Sequence, residues 1–179
     1  LARIDGGSGI DTIKLSGSGQ NFDISQIAGF AMTVQSDARL ESIEVIDLTG
    51  NGNNTLTLRP SDIIDMAGMN MFNSSNGWGS LGATVQSHQL VIDGDAGDVL
   101  NASGDWYDDG TVDKAGQTYR IYSSATSLAQ MLVDTDITRN VHVAGFVMHG
   151  QSALDFSGLS VSSAGRSEER RVGKECLRL

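Results

Sequence analysis

Apolar and polar residues alternate with a period of two in several short stretches of this chain. Ser42-Ile43-Glu44-Val45-Ile46-Asp47-Leu48 shows the alternation most clearly, and Thr55-Leu56-Thr57-Leu58 repeats it. Residues 12–15, 89–92, 117–122, 130–133 and 141–143 are further short runs rich in β-branched, aromatic or aliphatic residues. This pattern predicts half-buried strands. Gly, Asn or Asp closes each run, as expected where the chain must turn. One stretch departs from the period. Arg59-Pro60-Ser61-Asp62-Ile63-Ile64-Asp65-Met66 predicts a short helix near 60–67, with Pro60 at its start and Ser61 or Asp62 as cap. Residues 70–82 read as a Gly/Asn/Ser loop and residues 105–116 as an acidic hairpin turn. The expected fold is all-β, sandwich-like or partly solenoidal, with that one helix.

Composition sharpens the picture. Acidic residues number 22 against 12 basic ones. Residues 166–179 carry five of the basic and three of the acidic residues, so 1–165 keeps 7 against 19, a net of −12. Such a surface repels nucleic acid and anionic membranes and attracts cations, so neither nucleic acid nor membrane insertion is expected. Glu41 and Glu44 are the only glutamates in 1–165, and the other acids there are Asp, common in turns and in oxygen-ligand calcium loops. Cys176 is the single cysteine, so disulfides and cysteine-zinc sites are not expected to staple the body. The chain opens at Leu1 with no basic-then-apolar leader, and is expected to be a piece of a longer protein.

Gly6-Gly7-Ser8-Gly9-Ile10-Asp11-Thr12-Ile13-Lys14 fits the nonapeptide G-G-x-G-x-D-x-U-x at every fixed position. Glycine permits positive φ, so the chain can turn tightly and aim carbonyls inward, and Asp11 adds a hard anionic oxygen. Gly17-Ser18-Gly19-Gln20-Asn21, Gly50-Asn51-Gly52-Asn53-Asn54 and Asp93-Gly94-Asp95-Ala96-Gly97-Asp98 echo it in diverged form.

The nonapeptide resembles the calcium-binding repeats of RTX (repeats-in-toxin) proteins. Over residues 4–141 the longer string, from Ile43-Glu44-Val45-Ile46-Asp47-Leu48-Thr49-Gly50 to Leu132-Val133-Asp134-Thr135-Asp136-Ile137, looks like a module of giant type I-secreted bacterial adhesins. That resemblance implies a secreted, extracellular setting on a bacterial surface, Ca2+ as the stabilising ion, cell adhesion and neighbouring domains in the same polypeptide. Residues 1–24 are expected to end a repeat segment, 25–141 to form the β module and 142–165 to begin the next segment or a linker. Residues 166–176 resemble translated sequencing-adapter read-through, so 166–179 is set aside from fold reasoning.

Candidate metal ligands follow. Asp11 with Gly7 and Gly9 holds calcium, or else Asp11 caps turn amides. Asp93, Asp95 and Asp98 form a dense turn whose mutual repulsion a cation would relieve, unless solvent separates them. Asp105, Asp109 and Asp113 stand at positions 1, 5 and 9 of an EF-like loop with Gly110 at position 6, or belong to a solvated Asp-Gly hairpin. Trp78, Trp106 and Tyr107 sit in loop-like sequence, where they stack on a glycan or grip a peptide, or else close over the core. His88, His142 and His149 are scattered, without zinc-ligand spacing. No nucleophile elbow, Walker loop or His-Glu-x-x-His pattern occurs, so no enzyme is expected. A fragment of a secreted carbohydrate-active enzyme is the remote alternative.

Overall fold

The computed structural model describes residues 3–27, 40–50 and 52–145. The chain runs in repeated passes that stack on one another. The first pass holds β1 (Ile4–Asp5), β2 (Thr12–Lys14) and β3 (Asn21–Asp23). The second holds β4 (Leu40–Glu41), β5 (Val45–Asp47) and β6 (Thr55–Leu58), and ends in helix α1 (Pro60–Met66). The third holds β7 (His88–Asp93) and β8 (Val99–Lys114). Strand β9 (Gln117–Ser124) returns from β8, and β10 (Ala129–Asp134) and β11 (Thr138–Val143) make the fourth pass.

Pairing between passes is parallel throughout. One ladder runs β2-β5-β7-β10 and the other β3-β6-β8-β11. Strand β9 lies antiparallel between β10 and the distal half of β8 and joins both ladders into one sheet. The fold is therefore all-β around one helix. Its parallel ladders differ from the antiparallel sheets of a sandwich.

In-register apolar residues build the core. Ile13, Ile46, Ile92 and Val133 line one ladder, and Phe22, Leu56 and Leu100 the other. Helix α1 adds Ile63 and Met66 to this cluster. A second cluster contains Phe72, Trp78, Val91, Val112, Tyr119, Ile121 and Leu132. Val91 and Leu132 thus serve the second cluster while their neighbours Leu90, Ile92, Met131 and Val133 serve the first. Strands β7 and β10 are covered on both faces, which explains why their sequences read as continuous apolar runs rather than alternating ones.

Two expectations change. The helix cap is Arg59, not Ser61 or Asp62. Its amide donates to the Asp62 carboxylate at 2.7 Å from the first turn, where an acid also favours the helix dipole. Strands β2 and β3 pair with β5 and β6, and all described strands belong to the unit Leu1–Ala144. Residues 105–114 are strand, not turn. The turn is the two-residue loop Ala115-Gly116, with φ of 54° and 90°, the positive pair that a tight primed hairpin turn requires. Beyond Gly145, the segment expected at 142–165 and the tail 166–179 lie outside the described residues. Among the described residues, no helix is long and apolar enough to cross a membrane.

Candidate functional site

The turn Gly6–Asp11 joins β1 to β2. Gly7 and Gly9 take φ of 90° and 116°, as the nonapeptide predicts. Gly6 is required for a different reason. A Cβ there would lie 2.1 Å from the Ser42 carbonyl and 2.5 Å from Asp11 Cβ, so the turn packs directly on the second pass. The Gly7 amide donates to Asp5 Oδ1 at 3.0 Å. Asp11 is tied down by its backbone: its amide donates to Glu44 Oε2 at 3.0 Å, and its carbonyl accepts the amides of Glu44 and Val45. Its side chain is not. Asp11 Oδ2 is buried and accepts no hydrogen bond among the described residues. A buried carboxylate oxygen with no donor is costly unless a cation or a proton meets it. Asp11 is therefore the residue of this turn that could offer an anionic oxygen to a cation, beside the positive-φ bends at Gly7 and Gly9.

The three echo turns occupy another corner. Residues 15–20, 52–54 and 94–98 each lead into the second ladder, and they stack on one another rather than on Gly6–Asp11. The Gly19 amide donates to the Asn53 carbonyl at 3.1 Å, and the Gln20 amide to Asn54 Oδ1 at 3.0 Å.

The Asp93-Asp95-Asp98 turn does not gather its carboxylates at one point. Asp98 is 1% exposed, and its two oxygens accept the amides of Asn54 at 2.7 Å and Asp95 at 2.8 Å. Asp95 accepts the amide of Gly50 at 2.9 Å, and Asp93 the hydroxyl of Tyr119 at 2.7 Å. Asp98 is a structural anchor. Asp93 and Asp95 instead line a cavity of about 270 Å3 with Asp47, Thr49, Asp134, Asp136 and Tyr119. Spacing alone pointed to Asp93 and Asp95 but not to the others. The available signal is an aspartate ending an apolar strand, with Thr or Asp two residues on: Asp47-Leu48-Thr49, Asp93-Gly94-Asp95 and Asp134-Thr135-Asp136.

The electrostatics of this cavity are uneven. Burial works to raise Asp47, but bonds from Lys14 at 2.6 Å and from Thr49 outweigh it and hold the carboxyl below the ordinary value. Burial raises Asp93, and the neighbouring Asp47 and Asp134 add to the rise against the bond from Tyr119. The Tyr119 phenol is itself pushed up by burial and by Asp93.

The EF-like reading of residues 105–113 is corrected. Asp105, Asp109 and Asp113 lie along β8 and do not encircle a point. Asp105 faces His142 at 2.8 Å, and Asp113 accepts the Thr118 hydroxyl at 2.6 Å. Between them, Asp108 holds Arg120 through its Nε at 2.9 Å. Among the described residues, no group of three or more His, Cys, Asp or Glu side chains is placed to hold a metal ion. An ion at Asp11 would therefore draw its other oxygens from carbonyls, water or a facing chain.

The aromatic reading changes too. Trp106 is wholly buried, pointing inward from β8, with its indole N–H bonded to the Ser103 carbonyl at 3.2 Å. Trp78 is buried edge-on between Phe72 and Tyr119, at ring distances of 5.3 and 5.1 Å. Both close the core. Tyr107, 42% exposed, remains available for contact.

Comparison with protein-family models, with curated proteins and with solved structures returns no match for this chain.

Proposed function

We propose that this chain is a calcium-stabilised structural module of a large, secreted bacterial surface protein, built as a partial β-solenoid. The observation that carries the reading is the buried, unpartnered Oδ2 of Asp11 in a turn whose sequence fits the calcium nonapeptide at every fixed position. Calcium takes six to eight oxygens at about 2.3–2.6 Å. Asp11 would supply the anionic oxygen, and Gly7 and Gly9 the bends that turn carbonyls toward the ion. Water or a neighbouring domain would complete the shell. An ion bound by the folded chain and not by the unfolded one stabilises the fold in proportion to the logarithm of its concentration. The module would then be loosest at low calcium and stiffest outside the cell.

The acidic surplus supports the same reading, since a net charge of −10 gathers cations at the surface. The role is mechanical rather than catalytic: a stiff link that presents adhesive surfaces. The resemblance to adhesins supplies that setting. Ligand contact through aromatic loops retains only Tyr107 once Trp78 and Trp106 are known to be buried.

The test is calorimetric titration of the full chain with calcium chloride, beside the Asp11→Asn variant. The expected result is saturable binding that raises the melting midpoint and is lost in the variant. A folded chain that binds no calcium, or binds it equally well without the Asp11 carboxylate, overturns the reading.

A further inference from the structure

The last residues of three parallel strands place three carboxylates side by side. Asp47 of β5 pairs in register with Asp93 of β7. Val133 of β10 pairs with Ile92, so the following residue, Asp134, continues the row beside Asp93. Neighbouring parallel strands lie about 4.8 Å apart, which brings like charges within direct reach of one another. Water screens them poorly, because Asp134 is only 5% exposed and Asp93 is half-buried.

The groups facing Asp93 come from every strand around it. Strand β5 contributes Asp47, β10 contributes Asp134 and β9 contributes Tyr119. Lys14 of β2 is one strand further away and bonds Asp47, not Asp93. Asp95 and Asp136 line the same cavity. Gln117 donates to Asp134 Oδ1 at 2.6 Å, and the amide of Asp136 donates to the same oxygen at 2.9 Å. Among the described residues, neither Asp93 nor Asp134 has an ion-pair partner. The row thus holds one cation at its end and three acids, and its middle acid meets a like neighbour on each side. Like charges on neighbouring strands oppose one another's ionisation, and the middle acid, with a like neighbour on each side, is opposed most.

We propose that Asp47, Asp93 and Asp134 form a pH-responsive latch between successive passes, in which Asp93 carries the retained proton and its release to solvent through the cavity loosens the junction of β5, β7 and β10. The direction of the Asp93 shift agrees, since burial and both flanking carboxylates raise it above 3.8. The sign follows. A group raised in the folded state contributes stability in full below its unfolded value and loses it as pH rises through the folded value. This latch does not depend on calcium at Asp11.

Two measurements on the full chain in chelator test it. Carboxyl-carbon NMR follows Asp93 directly, and titration above the ordinary aspartate value is expected. Titration at or below 3.8 overturns the proposal. Thermal unfolding between about pH 4 and about pH 7 reads the consequence. The midpoint should fall with rising pH in the parent chain. Asp93→Asn should flatten that fall and raise the midpoint at neutral pH, whereas Asp136→Asn, which removes one charge from an exposed position on the same cavity, should leave the fall in place. Equal slopes in both variants overturn the latch, because general charge repulsion would then explain the fall. If Asp93→Asn does not fold, the NMR titration of the parent chain decides alone.

Discussion

The carboxylate of Asp98 accepts the backbone amide of Asn54 at 2.7 Å, across the junction between the third and second passes. The device repeats one pass earlier, where Asn54 Oδ1 accepts the amide of Gln20 at 3.0 Å and its Nδ2 donates to the Leu48 carbonyl at 3.1 Å. Both side chains are almost wholly buried. A polar thread therefore runs across the strands, beside the apolar core, and ties three passes at one corner. Such a thread fixes the register that stacked apolar side chains alone leave loosely specified.

Removing the Asp98 carboxylate takes the acceptor from two amides, the buried one of Asn54 and the part-buried one of Asp95. Asp98→Ala is expected to cost about 1–3 kcal/mol of unfolding free energy, since the orphaned Asn54 donor is buried while water can reach the Asp95 amide. Asp98→Asn keeps one acceptor and should cost less. Urea denaturation followed by circular dichroism measures both. A midpoint unchanged in Asp98→Ala would show that water serves these amides and that the thread contributes nothing.

Glu44 makes the corresponding tie at the opposite corner. It is 2% exposed, and its two oxygens accept the amides of Asp11 at 3.0 Å and Gly68 at 3.1 Å. It thereby joins the nonapeptide turn, the second pass and the segment after the helix. Glutamine in its place offers one acceptor and sets an NH2 against the other amide. Glu44→Gln is expected to lose about 1–3 kcal/mol. Hydrogen exchange should quicken at the amides of Asp11 and Gly68 before it does at strand β7. Uniform exchange across these sites would argue against a local tie.

Trp106 and Tyr107 are adjacent on β8 and should behave oppositely. Trp106→Ala empties a fully buried site and is expected to cost about 3–5 kcal/mol. Tyr107→Ala should stay within about 0.5 kcal/mol, as surface changes usually do. Equal costs for the two would contradict the inward and outward assignment.

These neighbours also show where the sequence was legible. Strands of clear alternation, such as Val45–Asp47 and Thr55–Leu58, stand where the pattern puts them, and the helix sits behind its Pro60. Strand β8 was hidden. Its Val99–Lys114 sequence is crowded with Asp, Asn and Gly, residues that strands disfavour, and pairing with β6, β11 and β9 overrides that local preference. The four-residue spacing of Asp105, Asp109 and Asp113 fits a ligand loop and a strand alike, and only the pairing of β8 with β9 and β11 decides between them. The acidic row was hidden for another reason. Asp47, Asp93 and Asp134 lie far apart along the chain and meet only through the register of parallel strands, which no single stretch of sequence reveals.

The acidic row also governs behaviour on the acid side. Asp47 carries the one ion pair in the row, with Lys14 Nζ at 2.6 Å. Bonds from Lys14 and Thr49 hold its carboxyl below 3.8 despite burial. A depressed acid contributes stability above its unfolded value and loses it as pH falls through its folded value, the reverse of Asp93. Unfolding midpoints should therefore decline below about pH 4 as Asp47 takes a proton. Lys14→Met removes the ammonium group and keeps most of the side chain's apolar length. It should start the acid decline at a higher pH, while Thr49 still holds one Asp47 oxygen and keeps part of the depression. Lys14 is largely exposed, so salt should narrow the gap between parent and variant by screening the pair. Thermal unfolding from about pH 2 to about pH 5, at low and high salt, checks both points. Acid limbs that coincide at low salt would show that Thr49, rather than Lys14, sets the Asp47 proton affinity.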